Sequence, residues 1–236
     1  MAGFKTHIGT STVVGAAYAF YGNSQLQLPL PACLLAGGLC SVAGMLPDLD
    51  SDSGVPVREM VSFSAAVVPM LMMERFETMG IPRETMIVAA GAIYLGVRFG
   101  FGAILKRFTV HRGMFHSLPA AAIAGLAVFL MCQTKSLDKR IFVASAVVLG
   151  FLTHLILDEI WAVEWHFGRI RFKKSFGTAL KFFGQQTGPN TAAYATLALL
   201  GYLAFQDVEA LKDLPQNKNS HLPAAVAREK PGDIFR

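Results

Sequence analysis

The sequence predicts an all-α, polytopic transmembrane helical bundle of five to seven spans, with metal-ligand residues gathered at one membrane face. Of the 236 residues, 53% are hydrophobic and 16% are charged, whereas about 25% of the residues of an ordinary soluble domain are charged. The mean hydropathy of +0.45 agrees with a membrane protein. In addition, histidines and aspartates recur beside or inside the apolar stretches, where a bilayer penalises ionisable groups heavily.

Seven apolar runs are the candidate spans. They lie at residues 8–21, 29–46, 61–73, 86–105, 118–132, 141–161 and 191–205. Several are shorter than the ~20 residues that a straight span requires, so the expected number is five to seven. We expect residues 1–205 to form one integral-membrane domain and the polar residues 206–236 to form a mobile tail.

Local signals mark the ends of these runs. The first run contains Thr10 and Tyr18 and has no clear cleavage site, so it is predicted to stay in the mature protein. Pro47 is expected to end the second run, and Ser117 to cap the fifth. Residues 48–56 are a loop by composition. The three cysteines lie in apolar runs without paired spacing, which predicts no disulfide framework.

The basic residues predict the orientation. With seven spans and a cytoplasmic amino terminus, most of them fall in four segments on the cytoplasmic side: Lys5, Arg58, Lys106, Arg107, Arg112, Arg169, Arg171, Lys173, Lys174 and Lys181. Fewer lie on the opposite side, which agrees with the enrichment of Lys and Arg in cytoplasmic loops. The net charge of +5 is explained in the same way, so no nucleic-acid partner is expected and membrane lipids are the predicted surroundings.

Seven side chains are the candidate metal ligands, and the predicted topology brings all of them to the cytoplasmic face. They are His7, Asp48, Asp50, His111, His116, His154 and Asp158. His154 and Asp158 are four residues apart and share one face of a helix. Asp48 and Asp50 are expected on one side of an extended segment. The two imidazoles at positions 111 and 116 flank Gly113, which allows the backbone to fold back.

Each pair also has a simpler interpretation. His154 and Asp158 could only hydrogen-bond each other, and the aspartates could belong to a solvated acidic loop. Together, however, the seven could hold one or two divalent ions, with zinc favoured and manganese or iron possible. A bound ion would activate water as a nucleophile. Arg112 is the candidate to neutralise a phosphate oxygen; alternatively, it only contributes to the excess of basic residues in cytoplasmic loops. Glu159 is the candidate to orient the histidines or to act as a general acid or base.

The ordered elements Pro47-Asp48-Leu49-Asp50, His111-Arg112-Gly113-x-x-His116-Ser117 and His154-x-x-x-Asp158, with His7 before them, resemble the LexA-regulated, inner-membrane-associated metal-dependent hydrolases. The resemblance covers about residues 1–158. It implies a bacterial inner-membrane hydrolase expressed with the SOS response to DNA damage. A more distant similarity is to zinc-dependent phospholipase C, although a second His-x-x-x-Asp/Glu pair is missing here, which favours two ions or fewer.

Three functions follow as hypotheses. The leading one is hydrolysis of a phosphoester, in a phospholipid or a lipid-linked phosphate, at the cytoplasmic lipid interface. The second is transport of a divalent metal, although transport sites tend to lie near the midplane at broken helices of repeated halves, which this sequence lacks. The third is a non-catalytic membrane scaffold in which the polar residues only hold helices together.

Overall fold

The computed structural model describes residues 3–50, 55–101, 114–132, 134, 136–166, 169–173 and 177–212; within these, the side chains of residues 49–50, 55–60, 101, 164–166, 169–170, 172 and 212 lie outside the description. Eight α-helices occupy these ranges. They are α1 (Phe4–Ser24), α2 (Leu30–Ala43), α3 (Val55–Leu71), α4 (Met73–Thr78), α5 (Arg83–Leu95), α6 (Leu118–Met131), α7 (Leu137–Trp161) and α8 (Thr187–Lys212). A 3₁₀ turn covers Leu46–Asp50, and a π-helical segment, Gly96–Phe101, extends α5.

Proline and serine define several helix boundaries. The Ser117 side chain accepts a hydrogen bond from the backbone N–H of Ala120, which confirms the predicted cap of α6. Ser136 caps α7 in the same way through Lys139. Pro69 lies inside α3, and this helix ends two residues later, as expected where proline removes a backbone donor.

The core is built where α1 and α2 pack against α7. Cys33, Ala36, Cys40 and Ala146 are fully buried there. Small residues allow this close packing: a Cβ added at Gly150 of α7 would overlap the carbonyl oxygen of Cys40 in α2. The backbones of α2 and α7 therefore approach each other directly, which fixes how the ends of these two helices are placed relative to each other.

A buried arginine connects helices α6, α7 and α8. Arg140 of α7 is 1% exposed; it forms an ion pair with Asp207 of α8 and donates to the carbonyl oxygen of Phe129 in α6 at 3.1 Å. The guanidinium also lies 4.2 Å from the centroid of the Phe129 ring. This one side chain therefore connects α6, α7 and α8.

The structure supports a helical bundle and modifies parts of the prediction. Each of the seven apolar runs corresponds to a helix, but only two helical segments, Leu30–Asp48 and Leu137–Trp161, are long and apolar enough to cross a membrane among the described residues, so five to seven spans are not confirmed. Residues assigned to the tail, up to Lys212, continue α8. The rest of the predicted tail, 213–236, lies outside the described residues.

One local prediction was wrong, and the structure adds one element. The segment with Asp48 and Asp50 is a 3₁₀ turn and not extended, so alternate residues do not share a side; the closed turn follows from backbone bonds such as Asp48 N–H to the Met45 carbonyl oxygen at 3.2 Å. The chain after Trp161 forms an antiparallel hairpin, Val163–His166 with Arg169–Phe172, which the all-α prediction did not include. Its alternating Val, Trp, Ile and Phe residues favour strands.

Candidate metal centre

Five of the predicted ligands converge at one end of the bundle. His7 is in the first turn of α1, and Asp48 follows the end of α2. His116 precedes the first turn of α6, whereas His154 and Asp158 lie in the last two turns of α7. The alternating directions of these helices therefore bring residues from distant parts of the sequence to the same end.

The first group of side chains is His7, His154 and Asp158. One carboxylate oxygen of Asp158 lies 3.3 Å from Nε2 of His7, and the other lies 3.7 Å from Nε2 of His154. The two imidazole rings stack with their centroids 3.7 Å apart. All three residues are buried, so this inner triad is closed to solvent.

The second group is Asp48, His116 and His154. The Oδ1 atom of Asp48 lies 3.5 Å from Nε2 of His116 and 3.6 Å from Nε2 of His154. The side chain of Asp48 is 32% exposed, whereas both histidines are buried. This outer triad therefore reaches the surface on the side of Asp48, and it shares His154 with the inner triad.

Backbone contacts fix the orientation of His154. Its Nδ1 lies 2.7 Å from the carbonyl oxygen of Gly44, so Nδ1 is the nitrogen that donates a proton there. Nε2 is then left with its lone pair directed at the two aspartates, which is the tautomer that binds a metal. Gly44 is held in turn against α1, because a Cβ at this position would overlap the Ser11 side chain.

These side chains fit a divalent ion. Two ligand atoms bound at about 2.0–2.2 Å to a tetrahedral ion lie about 3.3–3.6 Å apart, and the four N–O separations of the two triads range from 3.3 to 3.7 Å. They are longer than good hydrogen bonds. Nε2 of His154 is buried and makes no hydrogen bond among the described residues, an arrangement that a bound cation would satisfy.

Among the other predicted site residues, only Glu159 has a side chain that the structure describes, and it belongs to neither triad. His111 and Arg112 lie outside the described residues, as does the side chain of Asp50. The carboxylate of Glu159 accepts hydrogen bonds from the backbone N–H groups of Gly177, Ala179 and Leu180. Glu159 therefore binds a backbone segment that follows the hairpin.

Sequence reasoning missed the residues that hold the ligands in place. The Ser11 hydroxyl lies 2.7 Å from the carbonyl oxygen of Ser41 and 2.8 Å from that of His7, and so joins α1 to α2 beside the site. The four-residue spacing of His7, Ser11 and Gly15, all buried on one face of α1, is the signal that could have identified this contact.

The model of the YdjM inner membrane protein family matches residues 1–208 of the chain. The chain belongs to the YdjM inner membrane protein family. The match includes all five candidate ligands of the two triads, and it supports the predicted inner-membrane location. The two apolar segments of membrane-spanning length, Leu30–Asp48 and Leu137–Trp161, are compatible with that location for a YdjM protein. Comparisons with curated proteins and with solved structures gave no match.

Proposed function

We propose that this YdjM protein is a metal-dependent hydrolase of a phosphoester in a phospholipid or a lipid-linked phosphate. The observation that supports this proposal is the pair of neighbouring triads, with N–O separations suited to an ion in each; Nε2 of His154, which lies in both triads, would complete one of the two sites. Two neighbouring cations are a common arrangement for phosphoester hydrolysis. The family match does not itself bear on activity.

The two triads would have different tasks. The inner triad of His7, His154 and Asp158 is buried from solvent, which suits a structural metal site that stabilises the fold. The outer triad includes the partly exposed Asp48, and this side offers access to water and substrate. A bound ion would supply Lewis acidity and lower the pKa of water there. Asp48 would hold one side of that site, and His116 and His154 would hold the other.

Donor chemistry guides the choice of ion. Each triad offers two imidazole nitrogens and one carboxylate. This set suits zinc, and manganese or iron are alternatives, because no soft thiolate is involved. Because His154 can bind only one of the two ions, each ion has two or three protein ligands, which leaves coordination positions for water or substrate.

The location supports a lipid-linked substrate. The site lies at one end of a bundle in a family of inner membrane proteins, and the ends of membrane helices lie near lipid headgroups. We propose a multi-pass topology with this end at the cytoplasmic face, since Lys and Arg are concentrated in the predicted cytoplasmic segments. Arg112 stays a prediction as a phosphate ligand, and Glu159 as a residue that orients the histidines or acts as a general acid or base. The motif resemblance supports expression under LexA control, which measurement of the transcript after DNA damage would test.

Metal analysis joined to an activity assay tests the proposal. The purified protein in detergent is expected to retain up to two zinc, manganese or iron ions and to release phosphate or a phosphorylated headgroup from phospholipid micelles. His116→Ala and Asp158→Asn should each lose an ion and the activity. Asp138→Asn is the matched control, because Asp138 lies in the first turn of the same helix as Asp158, at the opposite end. Full metal content and full activity in both site variants would refute the proposal.

A further inference from the structure

Glu159 is separated from the metal ligand Asp158 by one peptide bond, yet its carboxylate is engaged with a different part of the chain. Oε2 accepts from the backbone N–H of Gly177 at 2.7 Å. Oε1 accepts from Ala179 at 2.8 Å and from Leu180 at 3.3 Å. Three N–H donors thus converge on one carboxylate, which is a backbone anion site filled by a side chain.

The bound segment, residues 177–184, is here named the strap. Ala179 of the strap is buried and packs with Ala121 of α6 and with Phe151 and Leu155 of α7. Gly177 has φ of +77°, in the left-handed region that favours glycine. The strap therefore crosses from the end of α7 to the start of α6.

At its far end the strap contacts the turn that presents His116. The Lys181 carbonyl oxygen accepts from the N–H of Leu118, the first residue of α6, at 3.1 Å. This N–H is one of the donors that a helix leaves without an internal partner. Gly184 lies against Met114, which is buried, since an added Cβ at Gly184 would be 3.4 Å from its Sδ atom. His116 thus lies between two residues that the strap touches.

The end of the strap is also fixed to α8. The Asn190 side chain accepts from the N–H of Gly184 at 2.7 Å and donates to its carbonyl oxygen at 2.9 Å. The Tyr194 hydroxyl donates to the carbonyl oxygen of Phe182 at 2.9 Å. The strap is therefore anchored by Glu159 at one end and by Asn190 at the other, with the His116 turn between these anchors.

We infer that Glu159 is a positioning residue that sets the metal affinity of the outer triad through the strap and His116. The inference rests on the proposed metal centre and deepens it. Neither triad includes Glu159. Loss of its carboxylate releases the strap, which widens the range of positions open to His116. His7, His154 and Asp158 are held by α1, α2 and α7, so the inner triad keeps its affinity.

Zinc titration of the metal-free, full-length protein in detergent, in competition with a chromophoric chelator, tests this inference. Glu159→Gln keeps the size of the side chain but replaces one accepting oxygen by an amide that cannot accept. We expect one of two zinc sites to weaken about 10–100-fold, the range typical of residues that orient a metal ligand. The zinc affinity of the other site should differ by less than about threefold between Glu159→Gln and the wild type. Glu77→Gln, an exposed position in α4, is the matched control.

Two further measurements separate positioning from general damage. Asn190→Ala releases the other end of the strap and should weaken the same site that His116→Ala removes. Hydrogen exchange of the amides of Gly177, Ala179 and Leu180 in the metal-free protein should accelerate in Glu159→Gln and stay unchanged in Glu77→Gln.

Several results would overturn the inference. The inference is wrong if Glu159→Gln binds zinc at both sites as tightly as the wild type does. It is also wrong if Glu159→Gln weakens zinc binding equally at both sites. Loss of affinity without faster exchange of the strap amides would mean that Glu159 acts directly, which also contradicts it. If the wild-type protein binds no zinc, manganese or iron, the metal centre itself is refuted, and this result is distinguishable because it appears before any variant is compared.

Discussion

His154 lies between the two triads, and because its Nδ1 donates to Gly44, only the single lone pair of Nε2 is available, to one of the two ions. We expect His154→Ala to lose one ion, as His7→Ala and His116→Ala each do. A ligand at 100 times its Kd stabilises a folded protein by about 2.7 kcal/mol. For a chain of this size, 1 kcal/mol corresponds to about 2–4 °C in Tm. Each ion therefore contributes about 5–11 °C.

The assay is thermal unfolding in detergent, with zinc and then with a chelator. The difference in Tm between the two conditions should be about 10–20 °C for the wild type and about half of that for His7→Ala, His116→Ala or His154→Ala. In the chelator, His154→Ala should still be less stable than the wild type by about 1–3 kcal/mol, because the Gly44 carbonyl loses its imidazole donor.

The outcome that refutes this reasoning is specific. If His154→Ala keeps the full wild-type difference in Tm, both ions bind without this residue, and His154 is not a ligand. Asp138→Asn should keep the full difference, which controls for the removal of a carboxylate from α7.

Three further predictions concern the scaffold, each measured by the free energy of unfolding. Gly150→Ala should destabilise by about 1–3 kcal/mol, because the new Cβ overlaps the facing backbone of α2; Gly91→Ala, a helical position with open space, should not destabilise. Asp207→Asn should destabilise the protein by about 2 kcal/mol, less than the loss of a fully buried ion pair, because the Asp207 side chain is 21% exposed. The double variant Arg140→Met with Asp207→Leu should recover most of the lost stability, and no recovery would contradict this account. Ser117→Ala should cost about 1 kcal/mol as a lost helix cap, and an unchanged stability would argue against the cap.

The helices and the convergence of the ligands could be predicted because both depend on simple periodicities. Apolar runs give helices, and alternating helix directions bring the start of one helix beside the end of the next. His7, Asp48 and His116 are all at such ends. The four-residue spacing of His154 and Asp158 places both on one face of α7.

The local geometry could not be predicted from the same signals. The 3₁₀ turn at Asp48 depends on how α2 ends against its neighbours, which composition does not report. The partners of Glu159 are backbone N–H groups of the strap, and any residue type except proline offers such a donor. The sequence therefore marked Glu159 as relevant without indicating what it binds.

The wide sequence separation of the ligands has a consequence for biosynthesis. The inner triad requires His7 from the first helix and Asp158 from the last turn of α7, so most of the polypeptide must leave the ribosome before either ion can meet a full set of donors. Contacts between such distant residues are slow to form in folding. During synthesis, His7 and Asp48 therefore belong to an incomplete pocket, and tight capture of ions at the proposed sites is restricted to a chain that has been synthesised through α7 and whose helices are correctly arranged.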